Sequence, residues 1–316
     1  MSNATSVRTP SKDPTVEELA LDFDLSMLAQ NKSPQTRKVY GTAVTQFVAY
    51  ACERGMPTTA RGVHRDHVEA FVAHLVETRS PSTARTRYGG LQVFFNWLVE
   101  EGEVEVSPMA RMKPPAVPEV PVPVVSDQDM SRLLKVTEGI EFAQRRDHAM
   151  IMLFRSSGMR RGEMAGLCVD DVDLVAQTAV VLGKGQRIRL APFDHETALA
   201  LRRYERVRRS HPWAHDSAFW LGRLGPFGDA GIQQMLQRRG SEAGVVRLHA
   251  HAFRHTFAHE WLAAGGTEGD LMQLAGWRNR GMIDRYGRGV ANERAHAAYR
   301  RLTNPEKRPS RSSGHR

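Results

Sequence analysis

A thirteen-residue stretch, Lys-Pro-Pro-Ala-Val-Pro-Glu-Val-Pro-Val-Pro-Val-Val at 113–125, holds five prolines and no glycine. Proline lacks a backbone N–H and fixes φ, so no helix or central strand can run through such a stretch. An extended, semi-rigid connector is the conformation left to it. Whatever this chain folds into, it divides here. The 316 residues suit roughly two domains, and 41% hydrophobic content is enough to bury a sizeable core in each. The division predicts a helical domain over 15–112, a linker over 113–125, a second domain over 126–303 and a basic tail over 304–316. The polar residues 1–14 are expected to be disordered.

Before the linker the apolar spacing is helical. From Ser33 to Glu53, Tyr40, Ala43, Val44, Phe47, Val48 and Ala51 follow the one-face pattern of an amphipathic helix. Ser33–Pro34 supplies a cap and first-turn residue. A second helix is predicted near Asp66 to Glu77, with Val68, Phe71, Val72, Leu75 and Val76 inward. A third follows Ser80–Pro81, burying Tyr88, Leu91, Phe94, Phe95 and Leu98 and ending before Gly102. The helices opened by Ser-Pro carry Arg37, Lys38, Arg85 and Arg87 near their starts. Positive charge there opposes the helix macrodipole unless an anionic partner or solvent relieves it.

After the linker, Ser126 with Asp129 marks a helix start. An apolar helix over about Arg146 to Ser156 is stopped by Gly158. Thr178 to Leu182 and Arg187 to Ala191 read as a hairpin with Lys184 near its tip. Further helices are expected from about Asp194, Asp229, His251, Asp270 and Ile283. The fold class is therefore mainly α (α+β), with a small antiparallel sheet in the second domain.

Composition narrows the function. Lys and Arg number 44 against 35 Asp and Glu, a net charge of +9, of which the segment from Glu306 to Arg316 supplies three. A basic surface suits a polyanion, nucleic acid first. No run of about 18 apolar residues exists, so no membrane role is expected. The N-terminus lacks the apolar core of a secretory signal. The two cysteines, Cys52 in a segment read as core-facing helix and Cys168 at a helix-to-strand turn, argue against a disulfide framework and fit a reducing cytoplasm.

Four stretches carry chemistry: Ser-Ser-Gly-Met-Arg-Arg-Gly-Glu-Met at 156–164, Gly-Lys-Gly-Gln-Arg-Ile-Arg at 183–189, His-Ala-Phe-Arg-His-Thr-Phe at 251–257, and Leu-Ala-Gly-Trp at 274–277 with Tyr286 nine residues beyond the tryptophan. Any one alone is weak. In this order and spacing they closely resemble the tyrosine recombinase (phage integrase) family. The preceding helices and linker resemble that family's core-binding domain, a SAM-like four-helix unit.

The resemblance implies a catalytic set of Arg160, Lys184, His251, Arg254, Trp277 and the nucleophile Tyr286. Two guanidiniums can clamp the non-bridging oxygens of a phosphate as it becomes pentacoordinate. His251 and Arg254, three residues apart, share a helical face. Lys184 matches the hairpin lysine that protonates the departing 5′ oxygen, and His251 the residue that hydrogen-bonds the phosphate; with tryptophan at 277, the Tyr286 proton has His251, water or the substrate as its exits. Trp277 stands where histidine is more common; its indole donates a hydrogen bond but cannot accept one. Glu163, one turn from Arg160, is a support for that guanidinium. Arg187 and Arg189 are expected to face phosphate or solvent rather than act chemically, and His255 to be structural. Tyr299 lies outside the family spacing. Arg37, Lys38, Arg85, Arg87 and Arg187 are candidate DNA contacts.

His251, His255 and His259 share a helix stripe beside Glu260, but the two-histidine zinc pattern His-Glu-x-x-His is absent. By resemblance the chemistry needs neither metal nor cofactor. The expected partner is double-stranded DNA, bound as a homo-tetramer on two sites, with monomer or dimer off DNA and with accessory proteins in some members. The expected location is the cytoplasm, at the nucleoid. Two other readings stay open: a type IB topoisomerase-like enzyme that rejoins the original strand, and a catalytically silent DNA-binding regulator.

Overall fold

The computed structural model describes residues 13–118, 124–183, 187–277, 281, 283, 299–300 and 303. Lys184, Tyr286, the tail over 304–316 and nearly all of 1–14 lie outside them, as does most of the helix expected from Ile283. The chain forms two compact units, residues 1–120 and 121–316.

The described residues of the first unit form four helices: α1 (Val16–Ala29), α2 (Pro34–Glu53), α3 (Arg65–Thr78) and α4 (Pro81–Glu100). Their starts are set by side chains that satisfy the orphan amides of a helix N-terminus. Thr15 and Glu18 form a reciprocal capping box on α1. Ser33 and Ser80 each accept from the amide three residues on, and each is followed by proline in the first turn. An aromatic cluster fills the centre: Phe23 meets Phe94 edge-on at 5.3 Å between centroids, and Phe47 meets Phe71 at 5.6 Å.

Three sequence expectations need correction here. Val76 is 42% exposed, because it falls beyond the face defined by Val68, Phe71 and Leu75. Cys52 lies in α2 but is exposed, one residue past buried Ala51. With Pro34 and Pro81 as first helical residues, Arg37, Lys38, Arg85 and Arg87 fall past the first turn. The macrodipole fades within one turn, so the charge conflict there is small.

In the second unit, α5 (Asp127–Val136) starts at Ser126, whose hydroxyl accepts from the Asp129 amide at 3.1 Å. The helix α6 (Phe142–Ser157) runs through the core, and the short α7 (Arg161–Ala165) follows its turn. A 3-10 turn at Val169–Asp171 leads into an antiparallel sheet of β1 (Val172–Asp173), β2 (Thr178–Gly183) and β3 (Arg187–Pro192) in that order. Next come α8 (His195–Arg208), the two-residue strands β4 (Leu221–Gly222) and β5 (Gly225–Pro226), α9 (Asp229–Glu242), α10 (Ala250–Ala263) and α11 (Glu268–Ala275). The mainly helical class with a small antiparallel sheet is as expected from the sequence.

The main core joins Met150, Leu153 and Phe154 of α6 to Leu201 and Tyr204 of α8 and Phe253 of α10. Burial pushes the Tyr204 phenol up to about 12, and its hydroxyl donates to the Phe219 carbonyl at 3.0 Å. Beneath α9, the fully buried Asp147 carboxylate takes Arg146 at 2.7 Å, Arg239 at 2.9 Å and Arg238 at 3.0 Å. A smaller cluster packs Ala258 and Leu262 of α10 against Leu271 and Ala275 of α11, with Trp277 and Ile283. In the sheet, Val181 pairs with Arg189 and Ala179 with Ala191. Ala179, Val181 and Ala191 are buried, so strand alternation turns Arg189 inward as well.

Candidate active site

The site is built from the turn after α6, the N-terminal end of α10, the inward face of β3 and the C-terminal end of α11. Gly158 ends α6 at φ 57, and its amide bonds to the Phe154 carbonyl at 3.0 Å. A Cβ at Gly158 would lie 2.6 Å from the Phe257 ring, so both φ and space demand glycine. This turn delivers Arg160 to the N-cap of α7.

Glu163 holds Arg160 in place. Its Oε2 accepts the Arg160 backbone N–H at 2.9 Å and its Oε1 accepts Arg160 Nη1 at 2.6 Å. The same carboxylate takes Arg189 Nη2 at 2.7 Å. Its side chain is 3% exposed. Burial alone would raise its pKa, but the Arg189 charge and the Arg160 amide and guanidinium outweigh burial. The carboxyl is held below its ordinary value of 4.5. The contact with Arg160 from which the sequence argued a support role for Glu163 is present.

Arg254, 1% exposed on α10, donates Nη1 to the Gly158 carbonyl at 2.7 Å and Nη2 to the Ala275 carbonyl. Its guanidinium carbon lies 5.2 Å from the centroid of the Trp277 ring, within cation–π range. Arg160 Nη2 reaches the Gly276 carbonyl at 3.3 Å, and Arg189 Nη1 the Leu274 carbonyl at 2.6 Å. Three consecutive carbonyls at the end of α11 therefore receive three different guanidiniums. These are the oxygens a helix C-terminus leaves without intrahelical partners. Gly276, at φ 63, ends the helix in the left-handed conformation.

A cleft of about 360 Å³ opens beside these groups, lined among others by Met159, Arg160, Arg161, His249, His251 and Arg254. The sequence expectation that His251 and Arg254 share a face holds, since both border it. His251 is exposed in the first turn of α10, its ring edge-on to His255 at 4.4 Å between centroids. His255 is 5% exposed, inside the fold. His249 caps α10 by accepting the Ala252 amide at Nδ1, 3.1 Å away. That leaves Nε2 protonated and able to donate toward the cleft.

Lys184 and Tyr286 lie outside the described residues, but their neighbours are placed. Glu163 Oε1 lies 3.7 Å from where a Gly183 Cβ would stand, so the base of the β2–β3 hairpin adjoins the site. Trp277 and Ile283, which precede Tyr286 in sequence, are 7% and 3% exposed within one cluster. Tyr299 is 68% exposed.

Sequence reasoning misplaced Arg189. It was expected to face phosphate or solvent, yet its side chain is 11% exposed and ion-paired to Glu163. Its register opposite buried Val181 was the available signal. Arg187 at the strand start is exposed, as expected. Sequence reasoning also missed Arg161 and His249; Arg161 Nε bonds to Asp229 at 2.7 Å. Among the candidate DNA contacts of the first unit, Arg37 is engaged by Asp24, with Nε to Oδ1 at 2.9 Å. The hydrogen bond between them lowers the Asp24 pKa and raises that of Arg37. Arg87 Nε donates to Gln46 at 2.7 Å and Arg85 Nη1 to the Pro115 carbonyl at 3.2 Å, while Lys38 is exposed.

Comparison with known proteins agrees with this architecture. Residues 19–102 match the family model described as phage integrase, N-terminal SAM-like domain. Tyrosine recombinase XerC of Actinobacillus pleuropneumoniae serotype 7 is 30% identical over 194 residues, covering 61% of this chain and 63% of that protein. For the first such relatives the match spans under two thirds of their own length. Tyrosine recombinase XerC of Xanthomonas campestris pv. campestris is 26% identical over 277 residues, 87% of this chain and 85% of that one. Among solved structures, the Tn1549 transposon integrase in complex with transposon right end DNA superposes with a TM-score of 0.72 at 17% identity, over 91% of this chain and 99% of that one. The same fold recurs in a lambda integrase dimer bound to a COC′ core site, with a TM-score of 0.68 at 13% identity, over 87% of this chain and 77% of that one. The phage integrase family model itself matches residues 123–293, more than half of the chain, and the protein belongs to that family.

Proposed function

We propose that the chain is a site-specific DNA recombinase that cuts and rejoins DNA through a phosphotyrosine. One observation carries the reading. Arg160 and Arg254 border a single cleft with His251, while other edges of both guanidiniums are fixed by backbone carbonyls. Donors aimed in advance at a concave point suit a phosphate whose charge grows in the transition state, because they need little reorganisation.

In the proposed reaction Tyr286 Oη forms a bond to phosphorus while the bond from phosphorus to the 5′ oxygen breaks. Lys184 gives that oxygen its proton, and the phenol proton leaves by way of His251. A 5′ hydroxyl from a partner duplex then reverses the step, so the ester bond is kept and no nucleotide cofactor is consumed. Trp277 contributes shape, its ring against Arg254, with no part in proton transfer. Residues 15–112 would act as the core-binding domain, 113–125 as linker and 126–303 as the catalytic domain. The partner is duplex DNA, bound as a tetramer across two sites; solved relatives include a lambda integrase tetramer bound to a Holliday junction. The segment from Ala291 to Leu302 would be exchanged between neighbouring subunits. No helix among the described residues is long and apolar enough to cross a membrane, and the proposed place of action is the cytoplasm, at the nucleoid.

The test is a covalent-trapping experiment on duplexes that tile the DNA flanking the gene. Wild-type protein should leave an adduct at a defined position that survives denaturant and is removed by protease, and Tyr286→Phe should bind the same duplex without any adduct. Cleavage retained by the phenylalanine variant would refute the assignment. Strand exchange between two such sites separates a recombinase from an enzyme that only rejoins the original strand.

A further inference from the structure

The role of Arg189 deepens the recombinase reading and rests on it. Arg189 does not line the cleft, yet it touches several parts of the site at once. From one guanidinium it binds the Glu163 carboxylate at 2.7 Å and the Leu274 carbonyl at 2.6 Å. Glu163 in turn holds both the amide and the guanidinium of Arg160. The aliphatic stem of Arg189 packs on Gly276: a Cβ at that glycine would lie 3.1 Å from Arg189 Cδ and 3.3 Å from Nε.

We propose that Arg189 is a third arginine of the active site, a positioning residue that clamps Glu163 to the C-terminal end of α11. It sets the reach of Arg160 and fixes the helix end from which the chain leaves toward Tyr286.

Two features speak against a purely stabilising ion pair. Buried pairs are an inefficient source of stability, because desolvation offsets most of the attraction. Here the desolvation is also incomplete in its return, since Arg189 Nε is buried with no hydrogen-bond partner among the described residues. What the arrangement does supply is geometry. Arg189 joins β3, Glu163 and the α11 terminus through a single side chain. Its planar fork can reach a carboxylate and a carbonyl together, which an ammonium cannot do at fixed angles. Arg160, by contrast, is 37% exposed with a long 3.3 Å bond to Gly276. Its placement is set from behind, through Glu163.

The experiment uses the full chain and a nicked duplex built around the cleavage position mapped for the wild type. The scissile linkage is an ordinary phosphate or a methylphosphonate, in which a methyl group replaces one charged non-bridging oxygen. Arg189→Met and Arg189→Lys are compared with wild type for DNA affinity and for the single-turnover rate of covalent trapping. Affinity should stay within about threefold, because Arg189 is outside the cleft; misplacement of a catalytic group should slow trapping by about 10²-fold in Arg189→Met and about tenfold in Arg189→Lys. On the methylphosphonate, which asks less of Arg160, the deficit should shrink to under about tenfold for Arg189→Met. A folded variant that traps at the wild-type rate overturns the proposal, and so does a deficit of equal size on both linkages. If Arg189→Met fails to fold, the same comparison with Arg189→Lys decides. Wild-type trapping on the same duplex separates either result from failure of the recombinase reading itself.

Discussion

Removing the Glu163 carboxylate should be far more damaging than its place on a five-residue helix suggests. In Glu163→Ala three charge-assisted hydrogen bonds vanish, two from Arg160 and one from Arg189. The Arg160 guanidinium is 37% exposed and can turn to water, so its share is under about 1 kcal/mol. Loss of the bond to the Arg160 amide resembles loss of a helix cap, about 1 kcal/mol. Arg189 accounts for most of the loss. At 11% exposed it is left charged and buried, with the Leu274 carbonyl as its remaining hydrogen-bond partner among the described residues, in the range of about 3 kcal/mol for a broken buried pair. The sum is about 4–5 kcal/mol, or roughly 10 °C in Tm for a unit of this size. If stranding Arg189 is the cause, Glu163→Ala introduced into an Arg189→Met background should cost only about 2 kcal/mol, a coupling of about 2–3 kcal/mol. Urea unfolding followed by tryptophan fluorescence suits the measurement. Trp213, Trp220, Trp261 and Trp277 lie in the second unit and only Trp97 in the first. Additivity of the two substitutions within about 0.5 kcal/mol would refute the reasoning.

Gly158→Ala should destabilise the second unit by about 2–3 kcal/mol, the left-handed φ and the approach to Phe257 adding together; a shift of the urea midpoint reads it, and pairing it with Phe257→Leu should recover part of the loss. Burial holds the His148 pKa below its ordinary 6.5, with the ring Nδ1 3.0 Å from the Thr137 hydroxyl. The unfolded chain therefore binds this proton more readily than the folded one. The contribution is full above pH 6.5 and is lost as pH falls from there through the lower folded value. Unfolding midpoints at pH 7.5 and 5.5 should differ less in His148→Gln than in wild type.

Much of the helical frame was legible because its signals are local. Ser33–Pro34, Ser80–Pro81 and Ser126 with Asp129 each mark a start that the structure uses. Gly158 marks a stop because only its left-handed φ turns the chain there. The β2–β3 hairpin was legible from its β-favouring runs, whereas β1, β4 and β5, two residues each, are too short to show alternation. Inward faces were harder: Val76 follows the helical period but overshoots the covered face. Of the candidate site, Arg160, Glu163, His251, Arg254 and Trp277 were named through the family resemblance that the four ordered stretches carry, and the structure sets the Glu163 carboxylate against Arg160. The place of Arg189 was not legible, because arginines at 187 and 189 look alike in sequence. Only the register, with Val181 opposite one and the hairpin end opposite the other, sends them to different surroundings. Asp147 was invisible for a similar reason: its partners Arg238 and Arg239 lie 91 and 92 residues away in sequence and meet it only because α9 packs there.

The three oxygens that receive Arg160, Arg189 and Arg254 belong to the backbone at the end of α11, and a backbone oxygen has no codon. Substitutions at Leu274 or Ala275 can change how the helix packs but cannot delete the acceptor that each contributes. The clamp can thus survive mutational drift over most of this helix. Heredity has one grip on it, at Gly276, where any side chain would meet Arg189 and resist the left-handed turn. A lineage could rewrite the surface of α11 freely and still inherit the same arrangement of guanidiniums, provided that one glycine is copied faithfully.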